Sequence, residues 1–74
     1  MKERIVKILA ELRPEFDFTE DVNFIEEGML DSFDIVSLID AIEEEFGVLI
    51  SGLDILPENF STVEAILSVI EKNK

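Results

Sequence analysis

The stretch Ser32–Phe46 can be packed on one side only. Wound at 100° per residue, Ile35, Leu38, Ile39, Ile42 and Phe46 fall within a narrow arc, and Phe33, Val36, Asp40, Glu43 and Glu44 fall away from it. This is a helix that must lay one stripe against a partner surface, and Gly47 supplies its stop. Two more stripes of the same period offer that surface. Ile5, Ile8, Leu9 and Leu12 mark a first helix from Lys2 to about Leu12, ended by Pro14, which disfavours helical geometry at Arg13. Val63, Ile66, Leu67 and Ile70 mark a last helix from Ser61 to about Lys72. Three one-sided helices in 74 residues dictate an all-α fold, a small bundle of three long helices plus a short one in a single domain over residues 1–74. A domain of this size buries only about 60% of its unfolded surface, leaving room for a core but hardly for a deep enclosed pocket.

The connections are less regular. Pro14–Leu30 reads as a long first loop, with Phe16, Phe18, Val22, Phe24, Ile25, Met29 and Leu30 set among acids. A loop this long in so small a domain needs anchoring, and its aromatic residues are expected to plug the bundle ends. A short helical turn within Thr19–Phe24 is compatible with the sequence, and Gly28 provides a turn that needs positive φ or close backbone approach. Beyond Gly47, Val48-Leu49-Ile50 reads as buried extended chain. Ser51 is placed to cap a short helix over Gly52–Leu56, with Asp54 at its third position and Pro57 as interruption. Ser61-Thr62-Val63-Glu64 fits a capping box for the last helix, with Phe60 and Ala65 as a hydrophobic staple.

The entry into the second helix carries the densest local signal. Asp31 is suited to the N-cap, and Asp34, three residues on, places a second carboxylate in the first turn, a variant of the capping box. Leu30 before the cap and Ile35 at the fourth helical position can close a staple. Both carboxylates face the positive end of the helix dipole. Ser32 then occupies the first helical position, from which a side chain projects outward. A phosphate esterified to its hydroxyl would lie near unpaired backbone N–H groups. Phe33 and Val36 stand beside it off the core face, which suggests a docking surface with an apolar centre and a charged rim. The alternative is that Phe33 folds back against the loop as core filling.

Charge sharpens the picture. The net charge is −12, and the six cations are Lys2, Arg4, Lys7, Arg13, Lys72 and Lys74, so the interval from Pro14 to Glu71 carries none. Such a field repels nucleic acid and anionic membranes and steers basic protein partners toward the chain. No apolar run approaches the ~20 residues that span a bilayer, and the N-terminus lacks a signal-peptide core, so a cytoplasmic location is expected. Mutual repulsion makes a monomer the expectation.

Several chemistries fall away. Cysteine and histidine are both absent, which removes disulfides, thiolate chemistry, the common zinc sites and a Ser–His nucleophile pair. Asp17, Thr19, Asp21 and Asn23 alternate like the first ligands of a calcium loop, but Val22 stands where glycine is required and Gly28 where the bidentate glutamate is required. The carboxylates alternate along exposed faces rather than sharing a desolvated pocket, so enzyme activity is not expected. From residues alone, two readings of Ser32 remain. It is the site of a prosthetic group, or it is a phosphorylation or protein-binding site on an acidic interaction module.

Asp31-Ser32-Phe33 resembles the Asp-Ser-Leu motif of acyl carrier proteins, whose serine receives a phosphopantetheine arm. The acidic second helix ending in Glu43-Glu44-Glu45-Phe46, the Ser61-Thr62-Val63 opening of the last helix and the helix order extend the resemblance over nearly the whole chain. Phe24-Ile25-Glu26-Glu27-Gly28-Met29-Leu30-Asp31-Ser32-Phe33 is similar to the attachment region of D-alanyl carrier proteins, which hold D-alanine for lipoteichoic acid modification. Phe33 departs from the usual Leu, Asp34 from the glycine frequent in that subgroup, and Asp40 from an exposed Met frequent in fatty-acid carriers. The resemblance implies a covalent phosphopantetheine on Ser32, derived from coenzyme A by a phosphopantetheinyl transferase. It implies an acyl- or aminoacyl-activating ligase that loads the arm as a thioester, and acyltransferase or synthase enzymes that receive the cargo. It also implies docking of basic surfaces on Asp31, Phe33, Asp34, Val36, Asp40, Glu43 and Glu44. The cargo is left open between D-alanine, another amino acid, and a fatty or polyketide acyl chain.

Overall fold

The computed structural model describes all of residues 1–74. Helices α1 (Lys2–Leu12), α2 (Ser32–Phe46) and α3 (Val63–Lys72) are joined by a long turn-rich loop and by a connection holding two 3₁₀ turns, Gly52–Asp54 and Pro57–Phe60. The fold is all-α, as the three stripes require. α1 packs against both α2 and α3, and the second 3₁₀ turn wedges between α2 and α3. The stripes meet in one hydrophobic core that includes Ile5, Ile8, Leu9, Leu38, Ile42, Ile66 and Ile70. Val69, absent from the stripe read from the sequence, is also buried, while Val63 and Leu67 are half-buried at its edge.

The first loop is anchored by its aromatic residues. Phe18 and Phe24 are buried edge-to-face with ring centroids 5.0 Å apart, and Phe16 stacks edge-on against Phe18. The backbone is tied down as well: Phe24 N–H donates to the Ser61 carbonyl at 2.7 Å, and Met29 N–H donates to the Phe24 carbonyl at 2.8 Å. No helix forms over Thr19–Phe24. The turn lies later, where Asn23 Oδ1 accepts from the N–H groups of Ile25 and Glu26 and Gly28 closes it at φ 72°. An asparagine side chain that captures two consecutive N–H groups nucleates a turn just after itself, which displaces the helical turn from the segment before it.

The second connection departs from the sequence reading in three places. Val48 and Ile50 are buried but Leu49 is exposed, because extended chain alternates its side chains. The short helical turn expected over Gly52–Leu56 forms as a 3₁₀ turn that stops at Asp54, and a second 3₁₀ turn follows at Pro57–Phe60. Ser51 does cap the first, its Oγ accepting from Leu53 N–H at 3.3 Å. Pro57 holds Leu56 extended, at φ −126° and ψ 141°, and itself occupies the first position of the next turn, where no N–H is needed. Finally, Ser61 does not cap α3. Its hydroxyl is buried and donates to the Glu58 carbonyl at 2.8 Å, closing the turn before it. Thr62 is the cap, accepting from Ala65 N–H at 3.0 Å, so the capping box of Ser61 with Glu64 does not form.

The connection is latched to the end of α3. Asp54 is buried and its carboxylate accepts from Lys72 Nζ at 2.8 Å and from Asn73 Nδ2 at 3.2 Å. Asn73 Oδ1 in turn accepts from Ser51 N–H at 3.1 Å. Lys72 first, and Asn73 second, hold the Asp54 carboxyl below its ordinary pKa.

Candidate functional site

The tip of α2 is built by reciprocal hydrogen bonds. Asp31 is extended and its Oδ1 accepts from Asp34 N–H at 3.0 Å, while Asp34 Oδ2 accepts from Asp31 N–H at 3.1 Å. This is a complete capping box made by two aspartates. Leu30 and Ile35, on either side of it, are both buried in the core, as a staple requires. The tip is therefore fastened from inside and from outside, and the serine between these fastenings has a fixed place.

Ser32 is exposed at the first helical position. Its hydroxyl enters none of the hydrogen bonds of the joint, which run between Asp31, Asp34 and Arg13. The backbone N–H groups of Ser32 and Phe33 precede the first intrahelical bond and have no acceptor. A nucleophilic oxygen thus stands in water beside two free donors at a helix N-terminus, an arrangement that favours an anion. The other exposed serines lack this setting. Ser37 lies within α2, Ser68 lies within α3, and Ser51 is used as a cap.

Around Ser32 the surface is apolar. Phe33 is 85% exposed, so it does not fold back into the core. Val36, Ile55, Leu56 and Leu53 are exposed as well. An open cleft of about 230 Å³ runs between the start of α2 and the second connection, lined by Ser32, Ile35, Val36, Ile55, Leu56 and Pro57. Sequence reasoning found Phe33 and Val36 from the helical projection. It missed Leu53, Ile55 and Leu56, because no period fixes the facing of residues in 3₁₀ turns.

The acids divide into two groups. Asp40 and Glu44 are exposed and make no ion pair. Asp31 keeps 61% of its side chain exposed. Asp34 keeps only 15%, and its Oδ2 lies 2.8 Å from Arg13 Nη2 and accepts from Arg13 Nε at 2.9 Å. The Arg13 guanidinium is the largest cause that holds the Asp34 carboxyl below the ordinary carboxylate range, with Asp31 N–H adding to it and partial burial opposing. Glu43 accepts from Ile50 N–H at 2.9 Å and so secures the chain after Gly47. The exit from α2 is thereby fixed, and with it the wall of the cleft beyond.

The comparisons agree with the geometry. The family described as "Phosphopantetheine attachment site" matches residues 3–70. A D-alanyl carrier protein of Bacillus velezensis is 32% identical over 75 aligned residues, covering 99% of this chain and 96% of the relative. An acyl carrier protein of Helicobacter hepaticus is 39% identical over 64 residues, covering 86% of this chain and 74% of the relative. These matches decide against an acidic interaction module without a prosthetic group. With a match over almost its full length and a three-helix frame that presents its acidic second helix, the chain belongs to the phosphopantetheine-attachment family of acyl carrier proteins.

Proposed function

We propose that Ser32 is the attachment point, and that residues 1–74 act as one carrier unit. The chain is a phosphopantetheine-dependent carrier that holds an acyl or aminoacyl group as a thioester and delivers it to partner enzymes; it is not itself an enzyme. The observation that carries the choice of Ser32 is its free hydroxyl at the capped tip of α2, flanked by two unpartnered N–H groups. The residues present fit the group: a serine oxygen to esterify, donors for its phosphate, and open space for an arm. When bound, the arm supplies the thiol that this cysteine-free chain lacks. In the attachment step, Ser32 Oγ loses its proton to a base on the transferase. It bonds to the pantetheine-side phosphorus of coenzyme A while the bond to the nucleotide-side phosphate breaks, releasing 3′,5′-ADP.

Members of this family work with a phosphopantetheinyl transferase, an activating ligase and an acyltransferase or synthase. For this chain, the docking face is Phe33 and Val36 with Ile55 and Leu56, rimmed by Asp31, Asp40 and Glu44. Asp34 and Glu43, committed to internal bonds, serve it from beneath by holding the helix ends. Encounter is steered by charge and weakens with salt. The cargo is D-alanine. The full-length similarity to a D-alanyl carrier protein supports this.

The test is an intact mass after incubation with coenzyme A and a broad-specificity phosphopantetheinyl transferase. The wild type gains one phosphopantetheine and Ser32→Ala gains none; equal gain by both would remove Ser32 from the role. Loaded protein is then offered D-alanine with its activating ligase and ATP, or a long acyl group with an acyl-activating ligase. Acylation by the second alone would overturn the cargo assignment.

A further inference from the structure

Arg13 lies at the end of α1, well away from Ser32 in the chain, yet its guanidinium closes on the cap of α2. Nε and Nη2 both reach Asp34 Oδ2, at 2.9 and 2.8 Å, Nη2 lies 3.5 Å from Asp31 Oδ2, and Nη1 donates to Glu15 Oε2 at 3.0 Å. One carboxylate oxygen, Asp34 Oδ2, therefore accepts two hydrogen bonds, from Arg13 Nε and from Asp31 N–H, with Arg13 Nη2 beside it as the close cation of the ion pair. The cap, the end of α1 and the start of the first loop are pinned at one point. No other cation forms an ion pair with Glu15, Asp31 or Asp34.

We infer that Arg13 is a positioning residue for arm attachment: it acts through Asp34 to hold the first turn of α2, and with it the Ser32 hydroxyl, in the orientation a transferase requires. The inference rests on Ser32 being the attachment point. Without the guanidinium, two carboxylates in one helical turn, with Glu15 close by, repel each other across the cap, and Asp34 is drawn toward water. The hydrogen bond from Asp31 N–H to Asp34 Oδ2 then loosens, and that bond is one of the two that form the capping box at the start of α2. The docking acids Asp31, Asp40 and Glu44 remain, and the local field becomes more negative by one charge. Binding of a basic transferase is therefore retained while the hydroxyl is misplaced.

This gives a split that a purely structural role does not. Arg13→Gln, assayed well below its melting temperature with coenzyme A and transferase, lowers kcat for arm transfer about tenfold, with KM for the carrier unchanged or lower. Arg13→Lys, which keeps the charge but not the fork, falls between. In an Asp34→Asn background, Arg13→Gln has less than half its effect on log kcat, since the two act as one unit. A raised KM with unchanged kcat, or additive effects of the two substitutions, would overturn the inference. If Arg13→Gln does not fold, Arg13→Lys and its cycle with Asp34→Asn decide by the same criteria. Failure of the wild type to accept an arm would instead strike at the attachment assignment itself.

Discussion

Phe33 is a ring held in water by a helix whose opposite face is fully packed. Its neighbours Leu30 and Ile35 are buried in the core, so the exposure follows from helical geometry rather than from loose packing. Substitution at such a position alters stability by no more than about 0.5 kcal/mol. Phe33→Ala should therefore melt with the wild type yet raise KM for the transferase several-fold; a large drop in melting temperature, or unchanged loading kinetics, would show that the ring serves the fold instead of the partner. At this scale the sequence was legible where one residue answers to one rule. Asp31 as cap, Ser32 at the tip and Phe33 off the stripe all follow from the helical repeat. Asp34 and Glu43 were harder. Their place on the outer part of α2 was readable, but their partners Arg13 and the Ile50 N–H come from other segments, and only the folded chain shows that these acids are already engaged.

The elements divide along the same line. α1 and α2 have the bounds that stripe, proline and glycine imply, because each rule acts within one turn of chain. Gly47 ends α2 in the left-handed region at φ 66°, where a side chain would be strained. The second connection was misread because two competing uses of the same residues are settled by tertiary bonds. Ser61 could cap α3 or close the turn before it, and the second wins when its carbonyl is also needed by Phe24 N–H. Asp54 could have completed a capping box with Ser51, but Lys72 and Asn73 claim it. That latch has a pH signature. The folded carboxyl is held below its ordinary value, so its contribution is present above about pH 4 and is lost as pH falls through the depressed folded pKa. Asp54→Asn should melt below the wild type at neutral pH, with the gap closing on acidification below pH 4; a gap that widens in acid contradicts the latch. The comparison is made as a difference because protonating the many unpaired acids changes the stability of both proteins alike.

For the molecule as a whole, most of the positive charge is spent inside it. Lys2 pairs with Glu64, Arg4 with Glu45, Arg13 with Asp34, Lys72 with Asp54 and Lys74 with Glu71, so only Lys7 among the six cations makes no ion pair. The exposed pairs among these, Lys2–Glu64, Arg4–Glu45 and Lys74–Glu71, are each worth about 0–1 kcal/mol, while the net charge of −12 repels itself throughout. Screening of the repulsion outweighs screening of the pairs. The melting temperature should therefore rise as sodium chloride is raised from about 10 mM to about 300 mM, the range over which the Debye length falls from ~30 Å to below 10 Å. A fall would mean that the pairs dominate. Around the tip of α2 the unpaired acids are joined by exposed apolar side chains. The assignment of the arm to Ser32 is tested most directly by fragment-ion mass spectrometry of the protein isolated from its own source and cut after glutamate. A single phosphopantetheine is expected on the peptide following Glu27, localised to Ser32 and not to Ser37. A protein that carries no arm, or carries it on another serine, would contradict that assignment.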